Sequence, residues 1–260
     1  MIGPALAAAL LALVHVVAPA VGRLEAGPRG RWLSGAGGVA VAYVFVHLLP
    51  ELAAGQVHLS EAFARQPSVD GLSAAGLLAA LTGQHVYVLA LTGLLLFYGL
   101  EKLAISSVHA PRQLPDADDR PGDTRLPGAV FWVHLLSFAA YNALIGYLLL
   151  HQRDDGAGSL AMFTVAMALH FLVADAALSG HYRRRYRERG RWLLAGAVLL
   201  GALGGAVADF GERFVAMATA FLAGGIILNI LKDEMPGDRS GRFWAFAAGA
   251  AAYTVLVVLA

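Results

Sequence analysis

Two ionisable residues sit five positions apart in one apolar stretch, Met162–Gly180, which reads MFTVAMALHFLVADAALSG. They are His170 and Asp175. The stretch is long enough to cross a bilayer. Ionisable groups inside such a segment are costly and mark functional sites by default. Five residues of α-helix turn the two side chains about 140° apart. They therefore read as successive stations for a cation rather than as two ligands of one ion. Met167 lies one turn before His170 and adds a thioether to that face. A hydrogen bond to a neighbouring helix is the plain structural reading of His170. Asp175 is harder to place structurally, because a buried carboxylate needs a compensating partner.

Further candidates lie on other segments. His47 and Glu51 are four apart, on one helical face, an imidazole and a carboxylate at a spacing that suits a divalent cation. Their plain reading is a helix end facing water. His134, Ser137 and Tyr141 form a polar stripe with Asn142 beside it, which should face other helices or a water-filled cavity. Asn229 lies mid-helix, followed by Lys232, Asp233 and Glu234. Ordered along the membrane normal, His47 and Glu51 come first, Asn142, His170 and Asn229 lie in the middle, and Asp175, Asp233 and Glu234 lie at the far side. Such a series suits passage of a cation.

These residues need spanning helices to position them, and the composition supplies them. Of 260 residues, 58% are hydrophobic and only 14% charged, with mean hydropathy +0.64. A soluble domain of this size carries far more charge. The chain is expected to be an all-α polytopic membrane protein with the lipid bilayer as its surroundings. A net charge of +1 gives no case for nucleic acid. The absence of cysteine excludes disulfides, thiolate metal sites and a Cys nucleophile. Eight segments reach the length of a span: Ile2–Val21, Leu33–Ala54, Gly83–Ala104, Leu126–Leu150, Ser159–Gly180, Trp192–Ala208, Phe214–Leu231 and Phe243–Leu259. Gly71–Thr82 is apolar but too short to cross alone, and is either re-entrant or part of helix 3. The first segment lacks a basic flank and is expected to be retained as a span.

Sixteen of the 19 Lys and Arg residues fall in or beside the first, third, fifth and seventh connections, and Arg65, Arg153 and Arg213 in the others. The positive-inside rule then places both termini outside the cytoplasm. The strongest anchor is the connection His181–Arg191, HYRRRYRERGR, suited to anionic headgroups. Residues 105–125 read as a cytoplasmic linker within a single transmembrane domain, 1–260. The part Ser106–Thr124 holds four Asp and three Pro and has the composition of a disordered loop. Helix 2 reads AGGVAVAYVFVHLLPE from Ala36, and helix 7 reads AGGIILNILKDEMP from Ala223. The two run in opposite senses, which predicts an inverted repeat of helices 1–3 and 6–8 around helices 4–5. Two similar small-residue packing faces are the simpler alternative.

With these features in place, the chain resembles the ZIP family of divalent metal transporters. The likeness covers the eight-span plan and the long third connection. It is closest in helix 2, where GAGGVAVAYVFVHLLPEL is similar to the family's Gly-rich helix ending in His-Leu-Leu-Pro-Glu. In helix 7, AFLAGGIILNILKDEMP resembles the family's Ala-Phe-x-x-Gly opening and acidic-x-x-Pro close. The family's helix 4 motif His-Asn-x-x-Asp-Gly meets Tyr141-Asn142-Ala143-Leu144-Ile145-Gly146 here. Its helix 5 motif His-Glu-x-Pro-x-Glu meets His170-Phe171-Leu172-Val173-Ala174-Asp175. The kept and lost positions imply a single reduced site or an altered substrate rather than a two-metal centre.

The expectation is a non-enzymatic, ZIP-like secondary transporter that moves a zinc- or iron-like divalent cation toward the cytoplasm. Asn142, His170 and Asp175 would form the core contacts, with His47, Glu51 and Asp233 along the path. The cation is cargo and no cofactor is required. A homodimer is compatible with the plan, and the Ala-, Gly- and Arg-rich usage fits a bacterial inner membrane. Two alternatives stay open. One is a non-transporting relative acting as sensor or partner. The other is an intramembrane metal-dependent hydrolase using His47, His134, His170 and Asp175.

Overall fold

The computed structural model describes residues 2–21, 29–64, 86–109, 128–151, 157–229 and 243–259. Every regular element among them is helical. Helix α1 is Ile2–Val21; α2, Arg29–Tyr43, passes through a π-helical turn, Val44–Leu48, into α3, Leu49–Ala64. Then follow α4 (Val86–His109), α5 (Gly128–Leu150) and α6 (Ala157–Arg185). A second π turn, Tyr186–Gly190, leads to α7 (Arg191–Val207), then α8 (Gly211–Asn229) and α9 (Phe243–Leu259).

Helices are what apolar runs of this length must form in lipid, where every backbone N–H and C=O has to be paired within the segment. Six helical stretches are long and apolar enough to cross a membrane: Gly3–Ala20, Ser34–Val57, Val130–Leu150, Leu160–Ser179, Tyr186–Val207 and Gly211–Asn229. Two apolar helices are shorter, Val86–Leu100 within α4 and Phe243–Leu259. The outward faces are apolar. Leu6, Leu10 and Leu13 of α1, Leu199, Leu200 and Leu203 of α7, and Leu256, Val258 and Leu259 of α9 are all exposed. Large apolar side chains on the outside of so many helices belong in hydrocarbon, and the chain is accordingly an integral membrane protein.

The helices sort into two groups. In one, α1 packs on α6 and α7, and α5 on α7; in the other, α2 packs on α9 and α4 on α8. The groups meet where α2 touches α6 and where α5 touches α4 and α8. Glycines set the closest approaches. A Cβ on Gly38 would overlap the Phe246 carbonyl, and one on Gly249 the Gly35 carbonyl. In the α4–α8 pair, a Cβ on Gly224 would overlap the Ala90 carbonyl, and one on Gly93 the Phe221 carbonyl. Without a hydrophobic drive between helices in lipid, this backbone proximity is what lets them hold together.

Three expectations change. First, the basic stretch His181–Arg191 is helical throughout, not an irregular connection. Tyr182, Tyr186 and Gly190 are buried along one face, while Arg184, Arg187 and Arg189 are exposed. Arg and Glu favour helix, and Arg184 donates to Glu188 at 2.6 Å one turn on. The chain still doubles back here. Tyr141 meets His170 and His134 meets Tyr182, so α5 and α6 run antiparallel. Gly201 lies against Ala143 and Gly205 against Tyr147, so α5 and α7 run parallel. Second, helix 2 is not a uniform α-helix. Pro50 has no N–H to offer the carbonyl of residue 46, and its ring crowds that carbonyl. The ladder widens just before it, at Val44–Leu48. Third, α4 continues to His109, five residues into the expected linker 105–125. The rest of that linker, Gly71–Thr82 and Lys232–Glu234 lie outside the described residues.

Candidate functional site

The centre of the α1–α5–α6–α7 group is polar. Asp175 on α6 is fully buried, and His15 on α1 lies against it. His15 Nδ1 is 3.0 and 2.9 Å from the two carboxylate oxygens. His15 Nε2 is 2.9 Å from Asn142 Oδ1 on α5. Asn142 is oriented by its own helix, because its Nδ2 donates to the Phe138 carbonyl at 2.7 Å. Its oxygen therefore faces His15, and Nε2–H must be the donor there. One more proton lies between Nδ1 and Asp175. Either an imidazolium donates to the carboxylate or the carboxylic acid donates to the imidazole. Both arrangements are neutral overall, which is how a carboxyl group can stand in a membrane interior without an uncompensated charge.

His170 takes a different partner. Its Nε2 is 3.1 Å from the Tyr141 hydroxyl, and both residues are buried. The Phe171 ring stands 4.5 Å from the His15 ring centroid and 6.1 Å from that of His170, in contact with both. The expected separation of His170 and Asp175 around α6 is thus borne out in their partners: one looks to α5 and the other to α1. The expected polar stripe on α5 divides. His134 bonds Tyr182 at 2.8 Å, and burial pushes that phenol up to about 12. Ser137 returns its hydroxyl to the Val133 carbonyl of its own helix.

Toward the basic end of α6, Ser179 Oγ and Arg191 Nε are buried with no hydrogen-bond partner among the described residues, and the Tyr186 phenol stands against Asp175. Ser179 follows Asp175 by one turn. Arg191 reaches the Val16 carbonyl, beside His15, at 3.4 Å.

At the opposite end a cleft of about 430 Å³ opens between the two helix groups. Glu51, His151, Asp209 and Glu212 are its charged and titratable lining residues. His151 stacks on Tyr147 with 4.2 Å between ring centroids. Its Nδ1–H donates to the Tyr147 carbonyl at 3.0 Å. That leaves Nε2 as the acceptor nitrogen, 3.7 Å from Asp209 Oδ1. A backbone carbonyl accepting from one ring nitrogen commonly sets the other up as a ligand. Asp209 is held by the Gly211 N–H at 2.7 Å, in a turn where Gly211 takes φ +80°. That angle favours glycine. A narrow second cavity continues inward from this cleft, sharing Glu51 and His151 and ending among Tyr43, Ile145, Phe163 and Met167.

No protein-family model and no curated protein matches this chain. The site rests on its own geometry. Of the expected metal residues, Asn142 and Asp175 come together through His15, and His170 stands beside them on Tyr141. Glu51 lies at the cleft. His47 is half-buried and stacks on Tyr43, 5.4 Å between ring centroids. Asp233 lies outside the described residues. Among the described residues, no three His, Asp or Glu side chains converge as a group able to hold a metal ion.

Sequence reasoning passed over His15, although it is the only ionisable residue of Ile2–Val21. The rule that singled out His170 applies to it equally. His151, Asp209 and Glu212 carried less signal, since each lies at a helix end where water normally accounts for a charged group.

Proposed function

We propose that the protein is a ZIP-like secondary transporter for a divalent cation, with eight spans and both termini on the extracytoplasmic side. The observation that carries the reading is the outer cleft. Three carboxylates and an oriented imidazole line an opening on an otherwise apolar membrane body, and the opening narrows inward between two helix groups. Such a mouth concentrates cations by its field. Inside, Asn142, His170 and Asp175 supply oxygen and nitrogen donors of the kind that suit zinc, iron(II) or manganese. A rocking of one helix group against the other would alternate access.

An inverted repeat supports the same reading. Gly35 and Gly38 of α2 meet Gly249 and Phe246 of α9; Phe221 and Gly224 of α8 meet Gly93 and Ala90 of α4. The spacing along the chain is the same in both pairs. Matching Gly38 to Gly224 also brings Pro50 onto Pro236, a register one residue away from the one that aligns the two Ala-Gly-Gly runs.

A second reading, a non-transporting relative acting as sensor or partner, has one observation in its favour. The candidate inner ligands already bond to groups of the protein itself.

Uptake of zinc, iron(II), manganese and cadmium into proteoliposomes tests the proposal. Wild type is expected to give saturable uptake of at least one of them. Glu51→Gln, at an exposed position, should raise KM about tenfold and leave kcat near wild type, as loss of electrostatic concentration at a mouth does. No uptake by folded wild type under either direction of the gradient would exclude transport and favour the second reading.

A further inference from the structure

The Asn142–Asp175 pair is where the proposed cargo should find its oxygen ligands, yet the geometry does not suit a bare metal ion. The imidazole of His15 lies between the two side chains, one ring nitrogen bonded to each. Two hydrogen bonds and the width of the ring set the facing oxygens roughly 7 Å apart. A zinc-like ion bound by both would bring them within about 4 Å of each other. The spacing matches a planar nitrogen-bearing ring, and the ring in place is the protein's own.

We infer that His15 is a tethered occupant of the cation site, a side chain that fills the space between Asn142 and Asp175 and must be withdrawn with α1 before cargo reaches Asp175. This deepens the transport reading and rests on it for the identity of the cargo, but not for the occupancy itself. Three features support it. All three residues are at most 2% exposed, so nothing from outside enters while the ring is seated. The Asn142 amide is held by Phe138, so its oxygen stays aimed at the site. The seat of the ring is shaped by Phe171, which tilts 30° against it at 4.5 Å. Because α1 packs on α6 and α7 and makes lesser contact with α5, a shift of this one helix empties the site. Among the described residues, the other titratable or charged groups around it are Tyr141 and His170 on one side, and Tyr186 and Arg191 toward the basic end.

Two measurements on the purified chain in detergent separate the occupant from the cargo. The first is chemical rescue. Free imidazole at millimolar concentration should raise the Tm of His15→Ala by several degrees through mass action on the vacated seat, and leave wild type and Asp175→Asn unmoved. The second is zinc binding by calorimetry. His15→Ala, and His15→Gln as a variant that keeps an amide in the seat, should bind Zn²⁺ at least about tenfold more tightly than wild type, the difference expected once a competing internal ligand is removed. The gain should vanish when Asp175→Asn is added. Rescue by imidazole without any gain in zinc affinity would uphold the tethered occupant and count against a divalent cargo. Equal response of His15→Ala and wild type to imidazole would overturn the inference, whatever uptake shows.

Discussion

His15→Ala is expected to lower stability by about 3–5 kcal/mol, the cost of removing one member of a buried pair and stranding the other. Asp175 is completely buried and His15 is 1% exposed, so water cannot take over the lost interaction. Asn142 loses its partner at the same time, and its oxygen stays pinned toward the gap by the bond to Phe138. Thermal unfolding in detergent reads the effect. The double variant His15→Leu with Asp175→Leu separates a stranded charge from lost packing. Removing both partners should recover most of the deficit, because an apolar replacement of a buried pair is often neutral or better. A double variant as unstable as the sum of the singles would mean that the pair contributes no coupling, and that His15 and Asp175 act independently.

The second large effect concerns the glycine contacts. Gly224→Ala and Gly38→Ala should each cost about 1–3 kcal/mol, the range for overpacking a closed contact. In both cases the added methyl meets backbone, the Ala90 carbonyl for Gly224 and the Phe246 carbonyl for Gly38. A side chain can rotate away, whereas a helix backbone can only move as a whole. Gly204→Ala on α7 is the control. A Cβ there meets nothing within 4 Å, so the better helix propensity of Ala should stabilise by up to about 1 kcal/mol. Measured by the same unfolding assay, opposite signs at Gly224 and Gly204 would place the destabilisation in helix contact. Stabilisation at both would leave propensity alone and count against a closed helix contact at Gly224.

Much of the fold was legible because the bilayer leaves few options. Ile2–Val21 and Phe243–Leu259 were bounded at the observed residues, and the other helices differ at their ends. The largest of these differences is helix 2, which extends through the π turn to Ala64. The basic stretch His181–Arg191 was read as a connection because charge outweighed the buried spacing of Tyr182, Tyr186 and Gly190. That four-residue spacing is the signal that would have shown it to be helical.

The candidate site was half legible. Asn142, His170 and Asp175 were chosen one at a time by a rule about cost, that a polar group in hydrocarbon needs a reason, and Glu51 came with His47 by their four-residue spacing. That rule identifies members and is silent about partners. The composition and the apolar periods by themselves determined an all-helical membrane protein and the helices that carry its polar residues, since burying backbone in lipid admits no other local structure. Tertiary structure alone decided that Asp175 faces His15 of α1. It also decided that Asn142 completes that contact, and that Glu51, His151 and Asp209 share one cleft. These groups lie on different helices, far apart in sequence, and which faces meet depends on glycine-set helix approaches that no single segment encodes.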